Sequence, residues 1–321
     1  MPDELLFQKG VSMNRLQTLV RVADKGSIAA AAGQDDLARQ SQFSHQLKDL
    51  EIAFGRKLTE RRGRTLRLTP EGTRLATLMR EHLLALSRFA DEAHDEAFTV
   101  RIGAGESTLN WLLTPNLAKV DSAPLRIRWR FSTLHAEDIK ERLLDQRLDF
   151  GIVRGIRETA RLKQETLGTL ENRLFIPVAL MPAPPSSALD AIARLPLALL
   201  EEGSQTRREI EAACLRQNRK PDLRYECNTA THLASVIANN LAAAPLPELA
   251  RTQFNPRKVF DISLGGILGK DAPLCLVWNP RTLAMSSSLE ALRQSLTRVL
   301  STSIQETSKL PGASPARKHG S

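Results

Sequence analysis

Apolar positions in the first 95 residues recur at helical spacing, interrupted by residues that start or stop helices. Leu16, Leu19, Val20 and Ala23 share one face of residues 14–25, and Gly26 stands where that helix should end. Ser27 caps "IAAAAGQ", a small-residue helix able to approach a neighbour closely. "GQDDLAR" breaks the pattern, and the next helix is expected from about Gln40 to Phe54. Its apolar positions, Phe43, Leu47 and Leu50, make a seam narrower than the stripe of a helix that serves only the core. The start of that helix is otherwise polar or basic: Arg39, Gln40, Ser41, Gln42, Ser44, His45 and Lys48.

"GRKLTERRGRTLRLTPEG", residues 55–72, alternates apolar and polar positions around Gly63 and predicts a hairpin with Arg61, Arg62 and Arg64 at its tip. Thr69 and Pro70 suit the cap and first position of a long helix over residues 70–97. Along it Leu75, Met79, His82, Leu86 and Phe89 alternate spacings of four and three, a heptad seam that predicts dimerisation, with His82 setting register.

From Thr99 the period changes. "VRIGA", "LRIRWRF" and "LDFGIV" read as buried strands separated by the helices "LNWLLTPNLAKV" and "AEDIKERLLDQR". The alternation continues through "RLFIPVALM", "LPLALL", "LRYEC" and "APLCLVW" to a last helix at 286–300. Elements of this length predict an α/β fold with largely parallel sheets over residues 98–300, as one domain or two lobes. Residues 1–12 read as a flexible extension, 13–69 as a small helical and hairpin domain, and 301–321, which lose periodicity, as a disordered tail.

Charge sharpens the picture of the first domain. Of the net +9, a surplus of six lies between Met13 and Arg80, where 13 Lys or Arg face 7 Asp or Glu. A small module so charged suits a polyanion. The three cysteines form no CxxC pair, which fits a reduced, cytoplasmic compartment, and the six histidines lack metal-ligand spacing, so neither metal nor cofactor is expected. No apolar run approaches the roughly 18–20 residues of a membrane span. The N-terminus lacks the pattern of a secretory signal. "GAGES" at 103–107 lacks the third glycine and the distant acid of a dinucleotide loop, and no nucleophile elbow or phosphate loop occurs, so an enzyme is not expected.

Three segments in order resemble the LysR-type transcriptional regulators over roughly residues 13–300. "NRLQTLVRVADKGSIAAAA" is similar to the family's opening helix and Gly-Ser-x-x-x-Ala-Ala signature, "RQSQFSHQLKDLE" to its recognition helix, and "FGRKLTERRGRTLRLTPEG" to its wing and linker helix. The chain departs from the commoner forms with "RQSQFS", a turn one residue longer in "GQDDLA", and "LTERR". It also has Asn240 and Ala242 where glycines are usual.

The resemblance implies a winged helix-turn-helix, a linker helix and a two-lobed domain of the periplasmic-binding-protein-like (type II) class. The recognition-helix residues and the arginines of the hairpin tip would then contact double-stranded DNA. Its implied assembly is a homodimer or homotetramer. A small polar, anionic effector would sit between the lobes, against residues that follow strands: Ser107 and Thr108, Ser132 and Thr133, Arg154, then Ser204, Gln205 and Thr206, and Thr229 on the crossover. Asp149 in "DFGIVRG" reads as structural. The rival readings are a regulator with a closed or vestigial cleft, and a cytosolic small-molecule-binding protein.

Overall fold

The computed structural model describes residues 10–33, 36–62, 65–93, 98–120, 126–155, 161–269, 272–284 and 286–309; the side chains of Arg62, Leu84, Ala85 and residues 87–93 lie outside that description. The chain forms two compact units, residues 1–98 and 99–321.

In the first unit, α1 (Met13–Lys25) is capped by Ser12, which accepts from the Arg15 amide, and ends at Gly26 in the left-handed conformation. Val11 packs against the domain core, so residues 10–12 belong to the fold and not to a flexible extension. α2 (Ile28–Ala32) starts at Ser27 as its residues predict. α3 runs Leu37–Phe54, three residues earlier than expected, because Asp36 caps it by accepting from the Arg39 amide. Asp36, part of the stretch that breaks helical periodicity, thus also starts the helix.

The hairpin pairs β1 (Thr59–Arg62) with β2 (Thr65–Leu68), closing at Arg62 opposite Thr65. Residues 63–64, with the expected tip Arg64, fall outside the described residues. Glu51 of α3 holds the hairpin in place: its Oε1 accepts from the Leu58 amide (2.9 Å), the Thr59 amide (2.8 Å) and the Thr59 hydroxyl (2.8 Å). α4 (Pro70–Ala93) follows, capped by Thr69, whose hydroxyl accepts from the Gly72 amide.

Leu75 and Met79 pack against the unit's own core, together with buried Ala76. This corrects the expected seam: its first two positions serve the domain itself. Leu78, His82 and Leu86, four apart, are the exposed stripe, and the Phe89 side chain lies outside the described residues. The offset arises because a 24-residue helix seated on a small domain spends its first three turns packing on it.

The second unit holds two lobes. Lobe one contains β3 (Phe98–Ala104), a helical segment α5 over residues 106–119 with a π-turn at Leu109–Leu113, β4 (Ile127–Thr133), α6 (Ala136–Leu144) and β5 (Phe150–Arg154). β6 (Lys163–Gly168) completes it before the chain crosses to lobe two. There it forms β7 (Asn172–Pro177), α7 (Ala188–Arg194), β8 (Pro196–Leu200), α8 (Gln205–Arg216), β9 (Asp222–Cys227), α9 (Ala230–Ala238), β10 (Ala244–Pro247) and β11 (Val259–Ser263). The chain then returns as β12 (Leu274–Trp278), α10 (Pro280–Ala284) and α11 (Ser287–Lys309).

The lobe-one sheet is ordered β4-β3-β5-β12-β6; lobe two has β10-β7-β11 and β8-β9. β3–β5 and β8–β9 are parallel, but β12 runs antiparallel to β5 and β6, and β7 to β10 and β11. The sheets are mixed and not largely parallel, because the chain passes between lobes twice. β4 is an edge strand with Phe131 40% exposed, which corrects the expectation of a buried strand.

α6 lies directly on β3 and β5 because both are glycine beneath it: a Cβ on Gly151 would stand 2.4 Å from Ile139 Cγ2, and one on Gly103 3.2 Å from Ile139 Cγ1. Asp149, fully buried, accepts from the Arg101 amide and guanidinium, consistent with a structural role. α11 continues nine residues past Leu300, with Ile304 and Thr307 buried, so the tail cannot start at 301; residues 310–321 lie outside the described residues.

α11 is tied to the sheet by Arg293, which bonds Glu290 (2.7 Å) and Glu165 and lies 4.9 Å from the Trp278 ring centre. The hydrogen bond from Arg293, above all, holds the Glu290 carboxyl below its ordinary value of 4.5, against the opposing effect of burial. A depressed folded-state value means the pair stabilises fully above 4.5 and is lost as pH falls through the folded value. Glu290→Gln should therefore unfold about 1–3 °C lower than wild type at neutral pH, since the pair is partly exposed. The gap should close well below pH 4.5. A gap independent of pH in thermal scans would refute the assignment.

Candidate functional site

The first candidate site is the outer face of α3. Phe43, Leu47 and Leu50 are 6%, 0% and 0% exposed and fix the helix to its domain, as the narrow seam predicts. Ser41, Gln42, His45 and Lys48, at spacings that keep them on one side, are exposed. The other expected residues are turned partly toward the protein. Arg39 lies over the Phe43 ring at 5.7 Å, with Arg21 also near that ring at 6.0 Å. Gln40 donates from Nε2 to the Gly33 carbonyl (3.3 Å), and Ser44 is half-buried. Arg61 on β1 and Arg67 on β2 are exposed.

Sequence reasoning missed Leu37 and Ile52, 77% and 70% exposed at the two ends of the same helix. It also missed Arg21 and Arg67. The alternation that identified the hairpin marked Arg67 as outward-facing, whereas nothing local indicates that Arg21 reaches Phe43.

The second candidate site lies in the second unit, a cavity of about 410 Å3 between its lobes. Ser107, Thr108, Arg154, Ser204 and Thr206 line it, so five of the nine expected effector residues come together. Ser132, Thr133, Gln205 and Thr229 do not line it. Thr229 instead caps α9, accepting from the His232 amide, while Gln205 donates to Glu209 along α8. Ser132 and Thr133 end the edge strand, one half-buried and one exposed.

Additional lining residues are His135, Asn172 and Arg207. His135 stands just before α6, the strand-to-helix position at which sequence reasoning sought hydroxyls, and that position is the signal that identifies it. α6 and α8 begin at the cavity without a side-chain cap. Their first-turn N–H groups therefore add favourable potential there for negative charge.

Arg154 donates to the carbonyls of Leu170 (3.3 and 3.4 Å) and Ala272 (3.2 Å), one in each of the two crossovers between lobes. Arg207 bonds Glu211 (2.9 Å), Glu226 (2.6 Å) and the Leu200 carbonyl (3.2 Å). The two carboxylates, Glu211 foremost, raise its pKa and keep it protonated. At the rim, the Thr231 hydroxyl of lobe two donates to Glu106 of lobe one.

Asn240 adopts φ 57, the left-handed conformation that asparagine tolerates better than most residues, so this departure from glycine keeps the turn. Ala242 is fully buried. Burial raises the pKa of the Cys214 and Cys227 thiols and leaves them poor nucleophiles. Among the described residues, no group of three His, Cys, Asp or Glu is placed to hold a metal ion, and no helix is long and apolar enough to cross a membrane.

A helix-turn-helix unit with an outward polar helix, joined in sequence to a two-lobed unit with a cleft, defines a DNA-binding regulator class with a ligand-binding domain. Family comparison agrees. The family description "Bacterial regulatory helix-turn-helix protein, lysR family" matches residues 13–73, and "LysR substrate binding domain" matches residues 93–301. The chain belongs to the LysR family of transcriptional regulators.

It is 29% identical over 168 residues to the HTH-type transcriptional regulator MetR of Salmonella typhimurium, a match spanning 52% of each chain. It is 24% identical over 271 residues to YeiE of Escherichia coli, an uncharacterized HTH-type transcriptional regulator, covering 75% of this chain and 89% of that protein. The match thus spans only about half the length of MetR. Among solved structures, full-length LysG of Corynebacterium glutamicum with bound effector Arg aligns with a TM-score of 0.61 at 18% identity, over 90% of this chain and 98% of LysG. ArgP of Mycobacterium tuberculosis aligns with a TM-score of 0.61 at 17% identity, over 90% and 97%. At these identities the likeness is one of fold.

Proposed function

We propose that this chain is a cytoplasmic, non-enzymatic transcriptional regulator that reads double-stranded DNA through α3 and responds to a small molecule held between the lobes of its second unit. The observation that carries the DNA reading is the exposed row Ser41, Gln42, His45 and Lys48 on a helix whose opposite side is buried. The major groove admits one such helix, and a glutamine can bond an adenine edge at two points. Exposed Arg61 and Arg67 on the hairpin lie ready for the backbone or the adjacent minor groove.

The chain works as a homodimer or homotetramer in this reading. The exposed stripe Leu78, His82 and Leu86 on α4 supports pairing of linker helices, which would set two reading heads on half-sites about one helical turn or a multiple apart. The cleft volume, about 410 Å3, falls within the range of small-ligand sites and supports an effector-responsive domain in preference to a vestigial one.

The test is fluorescence anisotropy of the full chain with its own upstream DNA and with random duplex, across a salt series. Affinity should fall steeply with salt on both, with preference for the upstream DNA. Gln42→Ala should cost about 1–3 kcal/mol on the upstream DNA and little on random duplex. Lys48→Ala should weaken both alike and lower the salt slope by about one. Absence of binding to either duplex at low salt would overturn the reading.

A further inference from the structure

Helices α1 and α3 meet along a ladder of side chains that steps by three residues on each helix. Arg15 bonds Asp49 (2.7 Å), and three residues on, the Thr18 hydroxyl donates to Gln46 Oε1 (2.6 Å). The next rung has a different chemistry. Arg21 meets an aromatic ring there, with its guanidinium 6.0 Å from the centre of Phe43, and Arg39 lies 5.7 Å from the same ring.

The acids nearest in sequence are engaged elsewhere: Asp24 with Arg80, Asp36 with the Arg39 backbone amide (2.9 Å) and Asp49 with Arg15. Among the described residues, neither Arg21 nor Arg39 forms a side-chain hydrogen bond or an ion pair. An aromatic ring attracts a guanidinium through its π-face but leaves the N–H donors free. Two like charges therefore share one ring with their donors unspent, and an anion within reach of both would relieve their repulsion.

We propose that Arg21 and Arg39 form a phosphate clamp on duplex DNA, with Phe43 as the residue that positions both. The proposal rests on the DNA reading of α3 and deepens it by naming a backbone contact beside the reading row. Arg39 is three residues from Gln42 of that row and four from Phe43 of the buried seam, so it lies on the flank between them. A helix in the major groove turns its outward row to the base edges, and its flanks to the sugar–phosphate walls.

The guanidinium fork matches two phosphate oxygens, and such pairs are charge-assisted. Phe43 is 6% exposed and fixed in the domain core. Its ring therefore holds both cations near one place before DNA arrives, which lowers the ordering cost of the contact.

The experiment is anisotropy of the full chain on its upstream DNA and on random duplex, across a salt series. Arg21→Ala and Arg39→Ala should each lower the salt slope by about one, and weaken both duplexes by the same factor, roughly three- to tenfold. Arg21→Lys and Arg39→Lys, which keep the charge, should keep the slope. Phe43→Leu, which keeps the core apolar but removes the ring, should also lower the slope, and Arg21→Ala should then cost little more. A single methylphosphonate, which removes one phosphate charge, should abolish the effect of Arg21→Ala at the clamped position.

Unchanged slopes in both alanine variants, on DNA that the wild type binds, would overturn the clamp and leave the reading by α3 standing. A loss in Arg39→Ala confined to the upstream DNA would make Arg39 a base contact and overturn the pairing. A full slope in Phe43→Leu would overturn the positioning role. Absence of wild-type binding to either duplex would remove the reading and the clamp together. Should Phe43→Leu fail to fold, the arginine variants still decide the clamp.

Discussion

Asp261→Ala is expected to destabilise the second unit by about 3–5 kcal/mol, the usual cost of removing one partner from a buried ion pair. Asp261, with its side chain 3% exposed, is shared by two arginines from different elements. Arg173 of β7 bonds it through Nε, and Arg251, from the turn after β10, reaches it with Nη2 at 2.9 Å and Nε at 3.1 Å. Burial works against the charge on Arg173, yet hydrogen bonding and attraction from Asp261, then Glu171, raise its pKa.

The network extends to α11. Arg251 also donates to the Thr307 carbonyl (3.3 Å), and the Ser308 hydroxyl donates to buried Glu248 (3.0 Å). Losing Asp261 leaves two largely buried cations around an empty position and loosens the end of the last helix. For a unit of this size the loss corresponds to a fall of about 10 °C in unfolding temperature. All three tryptophans, Trp111, Trp129 and Trp278, lie in the second unit, so their fluorescence follows it alone. A fall under about 2 °C would show that the arginines find other partners without cost.

The second large effect concerns Gly72. A Cβ there would stand 2.2 Å from the Leu58 carbonyl oxygen and 3.0 Å from its carbon, both backbone atoms. That carbonyl also accepts the Thr69 amide (3.0 Å) and cannot yield freely. Glycine-to-alanine replacement inside a helix ordinarily stabilises by roughly 0.5–1 kcal/mol. Here the sign should reverse, with Gly72→Ala costing about 1–3 kcal/mol through overpacking. Because the strain separates the start of α4 from the hairpin, weaker DNA binding should accompany it, measured by anisotropy beside circular-dichroism melting. A variant as stable as wild type would show that the first turn of α4 can slide away from Leu58.

Much of the first unit was legible because its boundaries are set by local chemistry. Ser27, Gly26 and the Thr69-Pro70 pair start or stop helices through their own backbone preferences, and each does so in the structure. Asp36 was misread because the residues that interrupt a helical period are the same ones that cap the next helix. The second unit was less legible. β6, "KQETLG", has one buried apolar residue, Leu167, and exists as a strand because β12 pairs with it. β11 and α7 likewise depend on the packing of lobe two.

At the cleft, the rule that ligands meet residues at strand ends found Ser107, Thr108 and Ser204. It missed Arg207, the third residue of its helix, and Asn172, brought in by the crossover. The leucines around the cavity belong to strands and helices whose inward faces a linear pattern does not distinguish from ordinary core.

Glu51 carries a consequence for how specificity can change. By binding two amides and a hydroxyl at the base of the hairpin, it braces α3 against the wing, and in the proposed reading the two form one reading head. The side chains facing outward at positions 41, 42, 45 and 48 take no part in that bracing. In that reading they act like interchangeable type in a fixed press: exchanging them would change what is printed without moving the frame. New operator preferences can therefore arise by substitutions that cost the fold little, whereas a change at Glu51 would blur every sequence the head reads.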